Sequence, residues 1–377
     1  MRVLVAFDKF KDALSAHEAG EAAAQALRDK HPDWELDVCA LTDGGEGFCE
    51  VLCESAAGRI EPVEVDGPRL TPVIGEYGVV AARSLTPAVR QRLGTEAPIA
   101  LVELASASGL DLVAAAARDP WLASTYGTGQ LLRAAAQEEP ALLLLGIGGS
   151  ATNDLGLGAL MALGFSFFDA HGNIIAVPTP STWERIVRIE RGAPPELPPL
   201  FIACDVDNPL LGPRGATATF GPQKGLSPDD APRFEAQMAR MATLLCETCG
   251  QSPALTATPG AGAAGGIAFG LMVACGAKLV PGFEFVSDWL DLPARIAAAD
   301  LILTGEGRFD ATSLAGKGPG ALVREGRRLG KPVHVFAGSL EGPADATTHA
   351  ITPAGMPLTE ALPRTAQLLA ATVARVW

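Results

Sequence analysis

The run Gly146-Ile147-Gly148-Gly149-Ser150-Ala151-Thr152-Asn153-Asp154 puts three glycines, two hydroxyls and a carboxylate into nine residues. It follows the apolar run Leu142 to Leu145 and precedes helical spacing through Leu163, so it reads as a turn from strand to helix. Gly146, Gly148 and Gly149 let backbone bend toward a ligand, Ser150 and Thr152 supply hydroxyls, and a helix N-terminus aims unpaired N–H groups at an anion. That describes a phosphate cradle. Asp154 does not suit a plain anion site; a carboxylate there implies a metal ion or a proton to be moved.

Four further segments place polar or glycine-rich residues at once after a predicted strand: Asp8-Lys9-Phe10-Lys11, Thr42-Asp43-Gly44-Gly45-Glu46-Gly47, Ala203-Cys204-Asp205-Val206-Asp207-Asn208 and Thr304-Gly305-Glu306-Gly307-Arg308-Phe309-Asp310. Singly, each acidic residue reads as a cap or turn former and each lysine as a solvated surface group. Together they suggest one crevice beyond the carboxyl ends of a sheet. Phosphoryl transfer needs a metal on the phosphate oxygens, cations for developing charge and a carboxylate for the substrate proton. Asp43, Glu46, Glu306 and Asp310 are candidate magnesium ligands, an ion that commonly takes one or two carboxylates plus phosphates. Lys11, Lys224 and Lys317 are candidate anion contacts, the last two in the rigid turns Phe220 to Gly225 and Ala315 to Gly318.

Other chemistries fit less well. Ala311 stands where a Walker A loop needs its first glycine. The G-x-G-x-x-G at Gly260, Gly262 and Gly265 follows a polar, proline-broken stretch instead of the strand that dinucleotide binding requires, which leaves an oxidoreductase resting on that match alone. None of the five histidines lies in a glycine-rich motif, and Gly148 to Thr152 lacks the last glycine of a serine-hydrolase elbow.

The elements that must position these residues begin with a βαβ rhythm: a strand over residues 2–7, a helix over 15–30 opened by the capping box Ser15 and Glu18, and a strand over 35–41. The C-terminal end resumes it, with strands at 301–304 and 333–336, a helix near 319–329 and a last helix over about 359–376. Between them, short strands at 62–65, 72–77 and 99–104 have no helices separating them, which predicts a mixed or antiparallel sheet. The expected fold is therefore α/β with two domains. Residues 1–67 plus 291–377 form a doubly wound Rossmann or flavodoxin-like domain, and 68–290 an inserted α/β domain with a mixed sheet. Two domains imply a cleft. The Pro-rich stretch 193–199 reads as a surface connection.

The chain has 377 residues, 48% of them hydrophobic, enough for two cores. With 29 basic against 43 acidic residues and a formal charge of −14, nucleic acid is not an expected partner. Seven cysteines without a secretory signal suggest free thiols and a cytoplasmic protein; Cys246 and Cys249 lack the companions of a zinc site. Residues 254–277 carry no charge, but their glycines and Pro259 argue for a loop leading into a buried helix at about 267–275, not a membrane span.

Taken in order, Asp8 to Ala16, Asp43 to Gly47, Gly146 to Asp154, Ala203 to Leu210, Phe220 to Gly225, Pro259 to Gly266 and Thr304 to Asp310 with Gly316-Lys317 resemble the motifs of the type 1 glycerate kinases, or glycerate 2-kinases, nearly end to end. Lys9, Thr312 and Leu155 depart from the residues frequent in that family. The resemblance implies ATP- and magnesium-dependent phosphorylation of D-glycerate, with 2-phosphoglycerate favoured. A kinase for a related small hydroxy acid, or a non-catalytic ligand-binding relative, is the alternative. By motif position, Asp205 or Asp154 takes the hydroxyl proton, Lys11 and Lys317 neutralise the moving phosphoryl group, and Asp8 joins them. Gly148, Gly149, Ser150, Thr152, Asn208, Lys224, Gly305, Gly307 and Arg308 hold substrate or phosphate. The expected partner is a small molecule; the oligomeric state stays open, a homodimer included.

Overall fold

The computed structural model describes residues 1–192, 197–310, 313, 318–341 and 347–377. Backbone contacts divide the chain into two compact units, Met1–Asp43 with Val286–Trp377, and Gly44–Phe285.

In the first unit, β1 (Arg2–Phe7), β2 (Glu35–Ala40), β11 (Leu301–Phe309), β12 (Val333–Leu340) and β13 (Thr347–Ala350) form one parallel sheet in the order β13-β12-β11-β1-β2. Val3 through Phe7 are all completely buried, as a central parallel strand covered on both faces requires. Val3, Val5 and Phe7 pack with the helices Ala16–Lys30 and Thr365–Val376. The alternate residues face the other side, where Leu292–Ala298 and Pro319–Arg328 pack. Ser15 caps the first helix with the full reciprocal box to Glu18. In chain order the strands run 2-1-3-4-5, the flavodoxin-like doubly wound arrangement, and the winding reverses between β1 and β11.

Three expectations need correction here. The strand read as 301–304 continues to Phe309, because β12 keeps pairing with it after β1 has ended opposite Gly305, from Glu306 opposite Ala337 to Phe309 opposite Leu340. The motif Gly305 to Phe309 is therefore strand, not loop. The last helix is broken: Leu358–Ala361 and a 3-10 turn at Leu362–Arg364, which contains Pro363, precede Thr365–Val376.

The second unit holds a mixed sheet of β3 (Arg59–Asp66), β4 (Pro72–Val80), β5 (Ile99–Glu103), β6 (Leu142–Gly146), β9 (Leu200–Ala203) and β10 (Lys278–Val280) in the order β10-β9-β6-β5-β4-β3. A two-stranded ribbon pairs β7 (Phe165–Phe168) with β8 (Arg188–Arg191). β3 and β4 form an antiparallel hairpin, β4 is antiparallel to β5, and the remaining four strands are parallel. β3, expected with the chain ends, pairs along its whole length with β4 in this sheet. Its pairing brings residues 44–67 into the second unit instead of the first. The uncharged segment is a kinked helix, Ala263–Cys275, whose residues 264–266 have left-handed backbone, so regular helix starts at Ile267. No helix among the described residues is long and apolar enough to cross a membrane.

Candidate active site

In the first unit the parallel pairing of β1 with β11 places Asp8, Lys9 and Lys11 around the same cavity as Glu306, Gly307 and Arg308. The Asp8 N–H donates to the Gly305 carbonyl at 3.0 Å, tying the two strand ends together. Asp43, just past β2, lines the same cavity of about 590 Å³. This is the carboxyl edge of a doubly wound sheet at its switch point, where such folds bind ligands.

The electrostatics of that edge are unbalanced. Burial, and next the Asp43 carboxylate, push the Asp8 carboxyl up to about 6. Burial, with the charges of Asp8, Asp310 and Asp43 adding to it, pushes Glu306 up to about 7. Glu306 Oε1 is buried with no hydrogen-bond partner among the described residues. Carboxylates crowded until they hold protons near neutrality are what a bound cation would relieve. No group of three or more His, Cys, Asp or Glu among the described residues could hold a metal by itself. The residues therefore fit a magnesium ion that takes one or two carboxylates and completes its shell with phosphate oxygens and water. Asp310, expected as a ligand, instead accepts an ion pair from Arg308 at 3.2 Å, and Arg308 also pairs with Glu341 at 2.7 Å. Gly305 is a packing glycine: a Cβ there would stand 1.9 Å from the Phe336 carbonyl oxygen. Lys317, expected beside these residues, lies outside the described residues, as does Thr312. Gly318 is described, and a Cβ on it would come 3.2 Å from Asp8 Oδ2.

In the second unit the four parallel strands end in register, Glu103 opposite Gly146, Gly146 opposite Ala203, and Ala203 opposite Val280. The turn 146–154 and Asp205 therefore emerge along one sheet edge, and the Gly148 N–H donates to the Gly44 carbonyl at 3.0 Å. The glycines serve loop packing. A Cβ on Gly146 would meet the Gly44 carbonyl and the Phe48 ring at 2.7 Å, and one on Gly148 would meet Gly45 Cα at 2.5 Å. Gly149, with φ +71°, faces Glu46 Oε1. Glu46 thus stands against the glycine turn. Glu103, which the sequence reading missed, is buried and accepts the Cys49 N–H at 3.2 Å, anchoring the start of the helix Phe48–Ser55.

Asp154 is completely buried. Its Oδ2 accepts from the Thr125 N–H at 2.7 Å, the Thr125 hydroxyl at 2.8 Å and the Gly158 N–H at 3.2 Å, while Oδ1 accepts from the Gly156 N–H. The helix N–H groups expected to face a phosphate are spent on Asp154, which clamps the turn onto Thr125 and the start of the helix. Burial raises its pKa against the pull of those bonds.

Lys224 is also enclosed, its Nζ donating to Ser150 Oγ at 2.7 Å, the Thr152 carbonyl at 2.6 Å and Asn153 Oδ1 at 3.2 Å. Burial pulls it down to about 7 despite the Asp154 carboxylate. Three acceptors take up its three donors, so it braces the turn. Thr152 is fully buried, whereas Ser150 reaches the surface with 8% of its area. Asn208, expected on the substrate, donates its amide to the Arg214 carbonyl and Thr219 Oγ1 and closes its own loop. Asp205 is half-buried and accepts the Phe283 N–H at 2.8 Å. The 3-10 turn Pro253–Ala257 precedes Gly260, where a dinucleotide site would need a strand.

The sequence pattern of the glycerate kinase family matches residues 3–377. The chain is 34% identical to a glycerate kinase of Bacillus subtilis strain 168, with 98% of this chain and 95% of that one covered. It is 36% identical to a glycerate 2-kinase of Escherichia coli K12, with 90% and 86% covered. A crystal structure assigned as glycerate kinase 2 from Salmonella typhimurium LT2 superimposes with a TM-score of 0.75 at 36% identity, over 100% of this chain and 96% of that one.

Proposed function

The chain belongs to the glycerate kinase family, and from that premise we propose that it transfers the γ-phosphoryl group of ATP to D-glycerate, on the 2-hydroxyl in preference to the 3-hydroxyl. Phosphorylation of glycerate follows from membership; the regiochemistry, the metal and the residue roles are our reading. The observation that carries it is the cavity at the β1/β11 switch point, where Asp8, Asp43 and Glu306 share one wall with Lys9, Lys11 and Arg308. Carboxylates and cations mixed in this way suit a metal-bound polyphosphate.

Magnesium, held by Asp43 and Glu306 with Asp8 beside them, would supply charge neutralisation on the phosphate oxygens. Lys11, together with Lys317, neutralises charge building on the moving phosphoryl group. Ser150 and the backbone of Gly148 and Gly149 receive an anionic group, held at their positions by Lys224. Asp205 accepts the proton of the attacking hydroxyl, a role Asp154 cannot fill while all its bonds are made. We further propose two domains, one of both chain ends and one inserted, in a cytoplasmic protein.

Phosphorus NMR of the products from D-glycerate, ATP and magnesium tests the reading. A 2-phosphoglycerate signal is expected, and 3-phosphoglycerate would move the reaction to the other hydroxyl. Absence of any phosphoglycerate, with ATP intact, would sink it in favour of a ligand-binding relative.

A further inference from the structure

The cavity of the first unit has two chemically different ends. One carries the charged residues at the ends of β1 and β11. The other is built by residues 351–365, where Ile351, Met356, Leu358 and Leu362 turn apolar side chains to the same space. This second wall is ordered by its own bonds: the Ile351 N–H donates to the Ala337 carbonyl at 2.9 Å, and the Met356 N–H closes a turn on Pro353. Thr365 directs its hydroxyl proton at the Ala361 and Leu362 carbonyls, so it offers no donor to the cavity.

A three-carbon hydroxy acid has no surface to match four aliphatic side chains, and the volume, about 590 Å³, is that of a site for a larger molecule. The turn at Gly148 to Ser150 presents backbone and one hydroxyl, which suit an anion and not a ring. An adenine nucleotide has both required parts, a flat apolar base and a metal-bound phosphate chain. We propose that the adenine ring of ATP lies against Ile351, Met356, Leu358 and Leu362, with its phosphates directed to Asp8, Lys11 and Glu306. Ser339 and Thr352, also in the lining, supply hydroxyls at the boundary between the two ends. This assignment rests on the kinase reading and adds which motifs hold the nucleotide.

The test uses the unmodified protein. Irradiation with 8-azido-ATP and magnesium, followed by digestion and mass spectrometry, should place the label within residues 338–365, suppressed by excess ATP and not by D-glycerate. An ATP-protectable label elsewhere, at 146–154 or 216–226 for instance, or none within 338–365, overturns the assignment. Leu362→Trp, which fills the apolar end from a half-buried position, should weaken ADP binding by calorimetry at least tenfold and leave the KM for D-glycerate within twofold. Unchanged ADP affinity in a variant with native thermal stability also overturns it. Product NMR separates the two claims, since phosphoglycerate formed by a protein labelled elsewhere removes this pocket and not the kinase.

Discussion

Lys224 Nζ stands 2.7 Å from Ser150 Oγ, inside the unit and almost fully shielded from solvent. By donating into the hydroxyl oxygen, it leaves the serine O–H as a donor for whatever lies outside. Lys224→Met removes a buried charge and strands the acceptors on Ser150, Thr152 and Asn153. Leaving a buried acceptor unpaired costs roughly 1–3 kcal/mol, to be read from denaturant unfolding. The folded remainder should show a raised KM with kcat less affected; native KM and stability together would remove the bracing role.

Asp8 and Glu306 make stability depend on pH and on metal. Both folded pKa values, about 6 and about 7, lie above the ordinary values of 3.8 and 4.5. Their favourable contribution is complete below about pH 4 and is lost as pH rises through 6 to 7, where the folded protein must hold crowded negative charge. The metal-free protein should therefore lose Tm between pH 5 and 8. Magnesium should restore more than about 3 °C at pH 8 and almost nothing at pH 5. Equal magnesium shifts at both pH values would show that the ion does not bind these carboxylates.

How far these residues could be read beforehand depends on how local their causes are. The helix behind Ser15 was legible because its capping box lies within four residues, and β1 because a parallel central strand is a continuous apolar run. The glycine turn was legible as a turn, but its purpose was not. What Gly148 packs against is Gly45, and what satisfies Asp154 is Thr125, neither of them near in sequence. Lys224 looked like a surface lysine for the same reason, since its burial depends on residues 150–153 folding over it. β13, Thr-Thr-His-Ala, has no apolar alternation at all and exists only because β12 offers it an edge.

Gly148 and Gly47 separate packing from conformation. An added Cβ at Gly148 meets Gly45 Cα at 2.5 Å, so Gly148→Ala must part the two glycine loops, at about 1–3 kcal/mol. Gly47 has open space around it but φ +84°, so Gly47→Ala costs only left-handed strain, about 1–2 kcal/mol. Thermal unfolding should show both losses. Turnover should fall at least tenfold only for Gly148→Ala, because that change displaces Ser150; a similar fall in Gly47→Ala would mean that loop strain alone disables the enzyme.

The two aspartates first considered as proton acceptors now predict opposite phenotypes. Asp154 has four donors directed at it and no exposure, so Asp154→Asn turns one amide N–H group against a donor. It should destabilise by roughly 1–3 kcal/mol while the folded fraction keeps kcat within about tenfold. Asp205 is half-buried at the carboxyl edge of its sheet, held from one side by the Phe283 N–H at 2.8 Å. Asp205→Asn keeps that acceptor oxygen and removes the basicity, so kcat should fall about 10²–10⁴-fold with little change in unfolding midpoint. If Asp205→Asn retains near-native kcat, the proton goes elsewhere. The crowded carboxylates at Asp8 and Glu306, already poised near neutrality, would then be the groups to replace next.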